Sequence, residues 1–129
     1  MNTNTQKIMN DMIHNVVMGV DGVMTIISPV NAPTESMEFS IFPHKIGVVI
    51  NNVKQSFLLK DLNLEKLKVY QAIIMLAGAF VEHKLIPAVA VGPVIVNRTY
   101  KLTLEICSLM MDYSSDYSKV IEKEIAKKL

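Results

Sequence analysis

The sequence predicts an α+β fold: a mainly antiparallel sheet of hairpins packed around a buried central helix, with further helices near both ends. Three observations carry that expectation. Asp21-Gly22 separates two β-prone runs, Val16-Val17-Met18-Gly19-Val20 and Val23-Met24-Thr25-Ile26-Ile27. A two-residue Asp-Gly link suits a type I′ turn, which needs positive φ at both central positions. Residues 37–50 then alternate: Met37, Phe39 and Ile41 against Glu38 and Ser40, followed by Ile46, Val48 and Ile50. Finally, Ala72 to Val81 is apolar on every side, the mark of a helix that is buried or clamped at an interface. With 129 residues the chain fits one domain, spanning 1–129.

The elements follow in order. Thr5 to His14 can form a first helix, with Ile8, Met9, Met12 and Ile13 on one stripe. The Val16–Ile27 hairpin comes next. Ser28 to Ser36 holds Pro29, Asn31, Pro33 and Thr34 and reads as a loop. The following strand pair is joined at Phe42-Pro43-His44-Lys45, where the proline cannot donate to a ladder. Asn51-Asn52 ends that pair, and Val53 to Leu59 fits either a further strand or a lead into the next helix. Asp61 or Asn63 can cap that helix, with Glu65 in its first turn. Leu67, Tyr70, Ile74, Ala77 and Val81 line one face, and Ile73, Leu76 and Phe80 widen it. The helix is expected to run to about Leu85 and to stop at Ile86-Pro87. Ala88–Val91 then reads as a short strand broken at Gly92-Pro93. Val94–Val96 turns at Asn97-Arg98 into a strand over Thr99–Cys107, where Tyr100, Leu102, Leu104 and Ile106 alternate with Lys101, Thr103, Glu105 and Cys107. Asp116 to Leu129 forms a last amphipathic helix striped by Tyr117, Val120, Ile121, Ile125 and Leu129.

Composition narrows the function. Thirteen Lys+Arg against 12 Asp+Glu leave a net charge of +1, too little for an electrostatic nucleic-acid binder. One cysteine, Cys107, cannot make a disulfide scaffold. A hydrophobic half of the chain and a mean hydropathy of +0.31 exclude intrinsic disorder. Only 19% of residues are charged, against roughly 25% in an average domain. A small domain has much surface to cover, so the apolar excess has to face something, and association is the inference. Nine Met with no Trp suit irregular cores and adaptable interfaces alike. Arg98 is the single arginine, the rest being lysine, and Asn and Ile abound. That bias points to an AT-rich genome, hence a low-GC bacterium, its virus or a mobile element. Met1 to Ile8 lacks the basic and apolar regions of a secretory leader. The stretch Ala72 to Val81, without a polar side chain, falls short of the about 20 residues that cross a bilayer. A soluble protein in the cytoplasm is therefore expected, or in the host cell interior if viral, with no membrane partner. Asn97-Arg98-Thr99 matches a glycosylation sequon by chance in that setting.

Motifs of chemistry are scarce. The five glycines include no phosphate-cradling pattern, and no metal-ligand spacing or nucleophile elbow is present. His14, His44 and His83 are far apart, and a structural or solvated role is expected for each. Cys107 would need a base or a helix N-terminus to become reactive, and Glu105 on the same face would favour the neutral thiol. Glu82 and His83 form the nearest thing to an acid–base pair, but a helix end with polar residues surfacing is the expected reading. Asp112 and Asp116, a turn apart, suit the start of the last helix. Lys45, Lys54, Lys60, Lys66 and Lys68 read as solvated lysines, because arginine, which clamps phosphate and reads guanine, is almost absent.

The expectation is a non-enzymatic, self-assembling structural, connector or accessory subunit. It acts as a homo-oligomer or with a protein partner, without metal, cofactor or nucleic acid. Its contacts are expected from Tyr100, Leu102, Leu104 and Ile106, from Tyr117 and Ile121, and from the Val16–Ile27 hairpin. The alternative is a dimeric regulatory or small-ligand module with an apolar cleft beside the central helix, where Tyr70, Gln71, Glu82 and His83 would supply polar groups.

Overall fold

The computed structural model describes residues 13, 15–19, 21–27, 35–92, 94–95 and 101–129. The first helix expected over Thr5–His14 and most of the loop after Ile27 lie outside the described residues. The fold is α+β. Five strands, β1 (Asn15–Met18), β2 (Val23–Ile27), β3 (Ser36–Ser40), β4 (Lys45–Ile50) and β5 (Val53–Leu58), form an antiparallel meander in chain order. Pairing puts Val16 beside Ile26, Met24 beside Phe39, Phe39 beside Ile46, and Ile46 beside Phe57. Side chains alternate across a strand, so these residues share the inner face. Val16, Met24, Ile26, Phe39 and Ile46 are fully buried there.

The hairpin expected at Asp21-Gly22 forms with a longer turn. Gly19 N–H donates to Val23 O at 3.0 Å, and Gly22 N–H donates to Gly19 O at 3.2 Å. Gly22 has φ +76°, and Asp21 Oδ1 accepts from Val23 N–H at 3.2 Å. The two-residue type I′ geometry belongs instead to Asn51-Asn52, with φ of 51° and 65°, which joins Ile50 directly to Val53. That turn makes Val53–Leu58 a strand.

After a 3₁₀ turn (Leu59–Asp61), helix α1 spans Leu64–Phe80. Asn63, not Asp61, caps it: its Oδ1 accepts from Lys66 N–H at 2.8 Å. The chain does not leave the helix at Pro87. It widens into a π-helical segment, Val81–Leu85, in which Ile86 N–H donates to Val81 O, and re-enters α-helix as α2 (Ile86–Val91). Proline lacks an N–H and crowds the carbonyl four residues back, and a π-bulge in the preceding turn accommodates both. Ala88–Val91 is thus helix rather than strand.

Val94–Ile95 (β6) pairs antiparallel with Lys101–Leu102 (β7), and the turn expected at Asn97-Arg98 lies outside the described residues. That strand ends at Leu102. Thr103 Oγ1 accepts from Ile106 N–H at 3.3 Å and caps α3 (Leu104–Lys128), so Leu104, Ile106 and Cys107 are helical. The helix begins well ahead of Asp116. Its buried stripe is Cys107, Met110, Ser114, Tyr117, Ile121 and Ile125, at three- and four-residue steps.

Helix α3 locks onto the sheet through two phenols. Tyr113 OH donates to Phe39 O and Tyr117 OH to Lys45 O, each at 2.5 Å, and the Tyr117 ring meets Phe39 edge-on at 5.2 Å. Against α1 it packs through Ser114, whose Oγ donates to Ile74 O at 2.6 Å opposite Gly78. Gln71 of α1 also donates to Ser118 O at 3.4 Å and to the Glu122 carboxylate. Helices and inner sheet face share one core.

Candidate interaction surface

The four expected ligand residues do not converge. Tyr70 is buried on the core side of α1, and Gln71 is committed to Ser118 and Glu122. Glu82 and His83 lie in the π-helical segment, both exposed, with Oε2 and Nε2 3.6 Å apart. Tyr70 and Glu82 are twelve residues apart on continuous helix, about 18 Å along its axis.

The expected interface residues divide as well. Leu102, Tyr117 and Ile121 are fully buried in the protein's own core, so they are structural. Leu104 is exposed and Ile106 half-buried, both on α3 rather than on a strand face, and Tyr100 lies outside the described residues. Cys107 is buried in the first turn of α3, and burial pushes its thiol up, toward the neutral form. Burial likewise raises the Tyr70 hydroxyl. Among the described residues no group of three His, Cys, Asp or Glu side chains is placed to hold a metal.

What the structure does present is an open sheet edge. All six residues of β5 are exposed, and among the described residues no strand pairs with its far side. The hairpin geometry fixes which groups face outward. A two-residue turn makes Ile50 and Val53 a hydrogen-bonded pair, and such pairs alternate with non-bonded ones. Val53, Gln55 and Phe57 therefore bond to β4. Lys54, Ser56 and Leu58, opposite Val49, Gly47 and Lys45, turn their N–H and C=O groups to the free edge.

Two of the usual protections of an edge, proline and a bulge, are missing from β5. Such strands are commonly shielded by proline, a bulge, or a lysine held over the edge. Strand β5 runs Val-Lys-Gln-Ser-Phe-Leu in regular register, without proline or bulge. Its one charge is turned inward over the outer sheet face: Lys54 Nζ lies 2.7 Å from Glu38 Oε2. The pair crosses above Gly47, where an added Cβ would stand 3.1 Å from Lys54 Cε and 3.2 Å from Glu38 Oε2. Around the edge sit Ile50 (51% exposed), Val53 (64%), Phe57 and Leu58. On the inner face Val48, Ile50, Val53 and Gln55 line a shallow depression.

Two further features lie on the helices. Between α1 and α3 runs an open groove of about 360 Å³, lined among others by Met75, Gly78, Glu82, Met111 and Ser118. The helical stretch Leu64–Val91, 28 residues long, is also apolar enough by length and composition to cross a membrane. Its core face is occupied by the fold, with Leu67, Ile74, Ala77 and Val81 buried, and the structure is compatible with a soluble protein. Val69 and Met75 remain exposed, so the all-round apolar run is only partly covered.

The edge was within reach of the sequence. Asn-Asn tolerates the left-handed region on both residues, so Asn51-Asn52 between β-prone runs signals a tight hairpin. Comparisons with protein-family models, curated proteins and solved structures find no match.

Proposed function

We propose that this protein is a non-enzymatic assembly subunit that works through protein–protein contacts, first of all with copies of itself. The observation that carries this reading is β5: six exposed residues and a backbone edge that no strand pairs among the described residues, with Ile50, Val53, Phe57 and Leu58 around it. An edge of this kind templates a further strand. Low charge over the whole chain points the same way. The residue bias fits an origin in a low-GC cell, its virus or a mobile element, a setting in which a structural, connector or accessory role is proposed.

Light scattering on the eluting peak of a sizing column tests the reading. The expected result is a discrete mass at a multiple of 14.4 kDa. A monomer at every concentration overturns self-assembly. A second reading rests on the groove between α1 and α3: a regulatory or ligand-binding module. It requires a ligand that raises the melting temperature, since binding to the native state alone stabilises it.

A further inference from the structure

Resting on that assembly reading, we propose that two copies join edge to edge through β5, antiparallel about a two-fold axis at Ser56, into one continuous ten-stranded sheet. The strand is self-complementary in this register. The residues with free backbone groups are Lys54, Ser56 and Leu58, and an antiparallel partner must set outward-facing residues opposite outward-facing ones. Centring on Ser56 pairs Ser56 with its own copy and Lys54 with the copy's Leu58 on each side. All three residues are then used, giving about six new backbone hydrogen bonds.

Neighbouring registers do worse. Centring on Lys54 opposes two ammonium groups, which is unfavourable for directly opposed residues. Centring on Gln55 leaves Leu58 unmatched within the strand, centring on Phe57 leaves Lys54 unmatched, and centring on Leu58 leaves Lys54 and Ser56 beyond the partner's end. With Ser56 at the centre the two Lys54 side chains stand on opposite sides of the axis, each still able to reach Glu38 of its own chain. On the inner face Gln55 meets the copy's Phe57, so the exposed ring gains a neighbour. Both contacts recur by symmetry, as an isologous interface requires.

The test uses the full chain and three changes at Ser56, which forms no hydrogen-bonded pair with β4. Ser56→Pro removes the outward N–H without taking a bond from the existing sheet. Ser56→Lys sets two ammonium groups together at the axis and leaves the backbone intact, which covers the case in which the proline variant fails to fold. Ser56→Cys is treated with a short bismaleimide, Cys107 being buried. The wild type is expected to run at twice the monomer mass, both charge and proline variants at the monomer mass with unchanged circular dichroism, and the cysteine variant to cross-link into dimer. An oligomer that survives Ser56→Pro and Ser56→Lys and gives no cross-link overturns this interface while the assembly reading stands. A wild-type monomer overturns both, and leaves the edge for an extended segment of another protein.

Discussion

Gly78→Ala examines a close contact between the two long helices. An added Cβ at this position would stand 2.7 Å from Ser114 Oγ and 3.3 Å from Ser114 Cβ. The hydroxyl cannot swing aside freely, because it is buried and donates to Ile74 O at 2.6 Å. Three effects compete. Alanine gains about 1 kcal/mol over glycine in a helix interior. Overfilling a packed contact costs about 1–3 kcal/mol. If the serine rotates to relieve the clash, its buried hydrogen bond is lost, at about 1 kcal/mol. The net expectation is a loss of about 1 kcal/mol, opposite in sign to the propensity effect alone. Ser114→Ala removes the clashing oxygen and should cost about 1 kcal/mol by itself. Together the two changes should be no worse than Ser114→Ala alone, a favourable coupling of about 1–2 kcal/mol. Urea unfolding of the four proteins, followed by circular dichroism at one fixed protein concentration, measures the cycle. A Gly78→Ala protein more stable than wild type, or strictly additive changes, would refute the close helix contact.

Three shorter predictions follow from the turn, the phenols and the thiol. Asn52→Val forces a β-branched residue to φ 65° and should cost about 1–2 kcal/mol, whereas Asn52→Gly should be neutral or stabilising; urea midpoints decide, and equal stability of the two contradicts the type I′ turn. Desolvation pushes the Tyr113 hydroxyl up to about 12 and raises that of Tyr117 further. The native state thus holds both protons more tightly than the unfolded chain. This stabilisation is whole below pH 10 and drains away as pH rises through about 12. Tyrosinate absorbance and circular dichroism should change together there, and ionisation of all tyrosines near pH 10 with the fold intact would refute it. Cys107 should react with a thiol reagent only as fast as the protein unfolds, and a rapid stoichiometric reaction in the native state contradicts its burial.

Much of the sheet could be read from residue order, because period-2 alternation at 37–50 is a local signal and the pairing of neighbouring strands is short-range. The fold class and the central helix were legible for the same reason. The errors came where two local signals compete. Tyr100 to Ile106 alternates like a strand, yet Thr103 is also a helix cap and Cys107, Met110 and Ser114 begin a helical stripe. Burial of that stripe against α1 and the sheet outweighs the alternation, and only tertiary packing decides it. Pro87 misled for a comparable reason, since a π-bulge absorbs what a regular helix cannot. The expected contact residues Leu102, Tyr117 and Ile121 were apolar in the right pattern, but pattern alone does not tell a core face from an interface face. The open edge follows from Asn51-Asn52 being a turn and not only the end of a strand, which settles Val53–Leu58 as strand.

Amide exchange of β5 across a concentration series tests the central claim most directly. In an isolated chain Gln55 and Phe57, bonded to β4, exchange slowly, while Lys54, Ser56 and Leu58 exchange fast. Residue-resolved NMR on the full chain is expected to show the second group becoming protected as concentration rises. If Lys54, Ser56 and Leu58 stay fast at every concentration while the rest of the sheet is protected, this edge is not where the protein assembles.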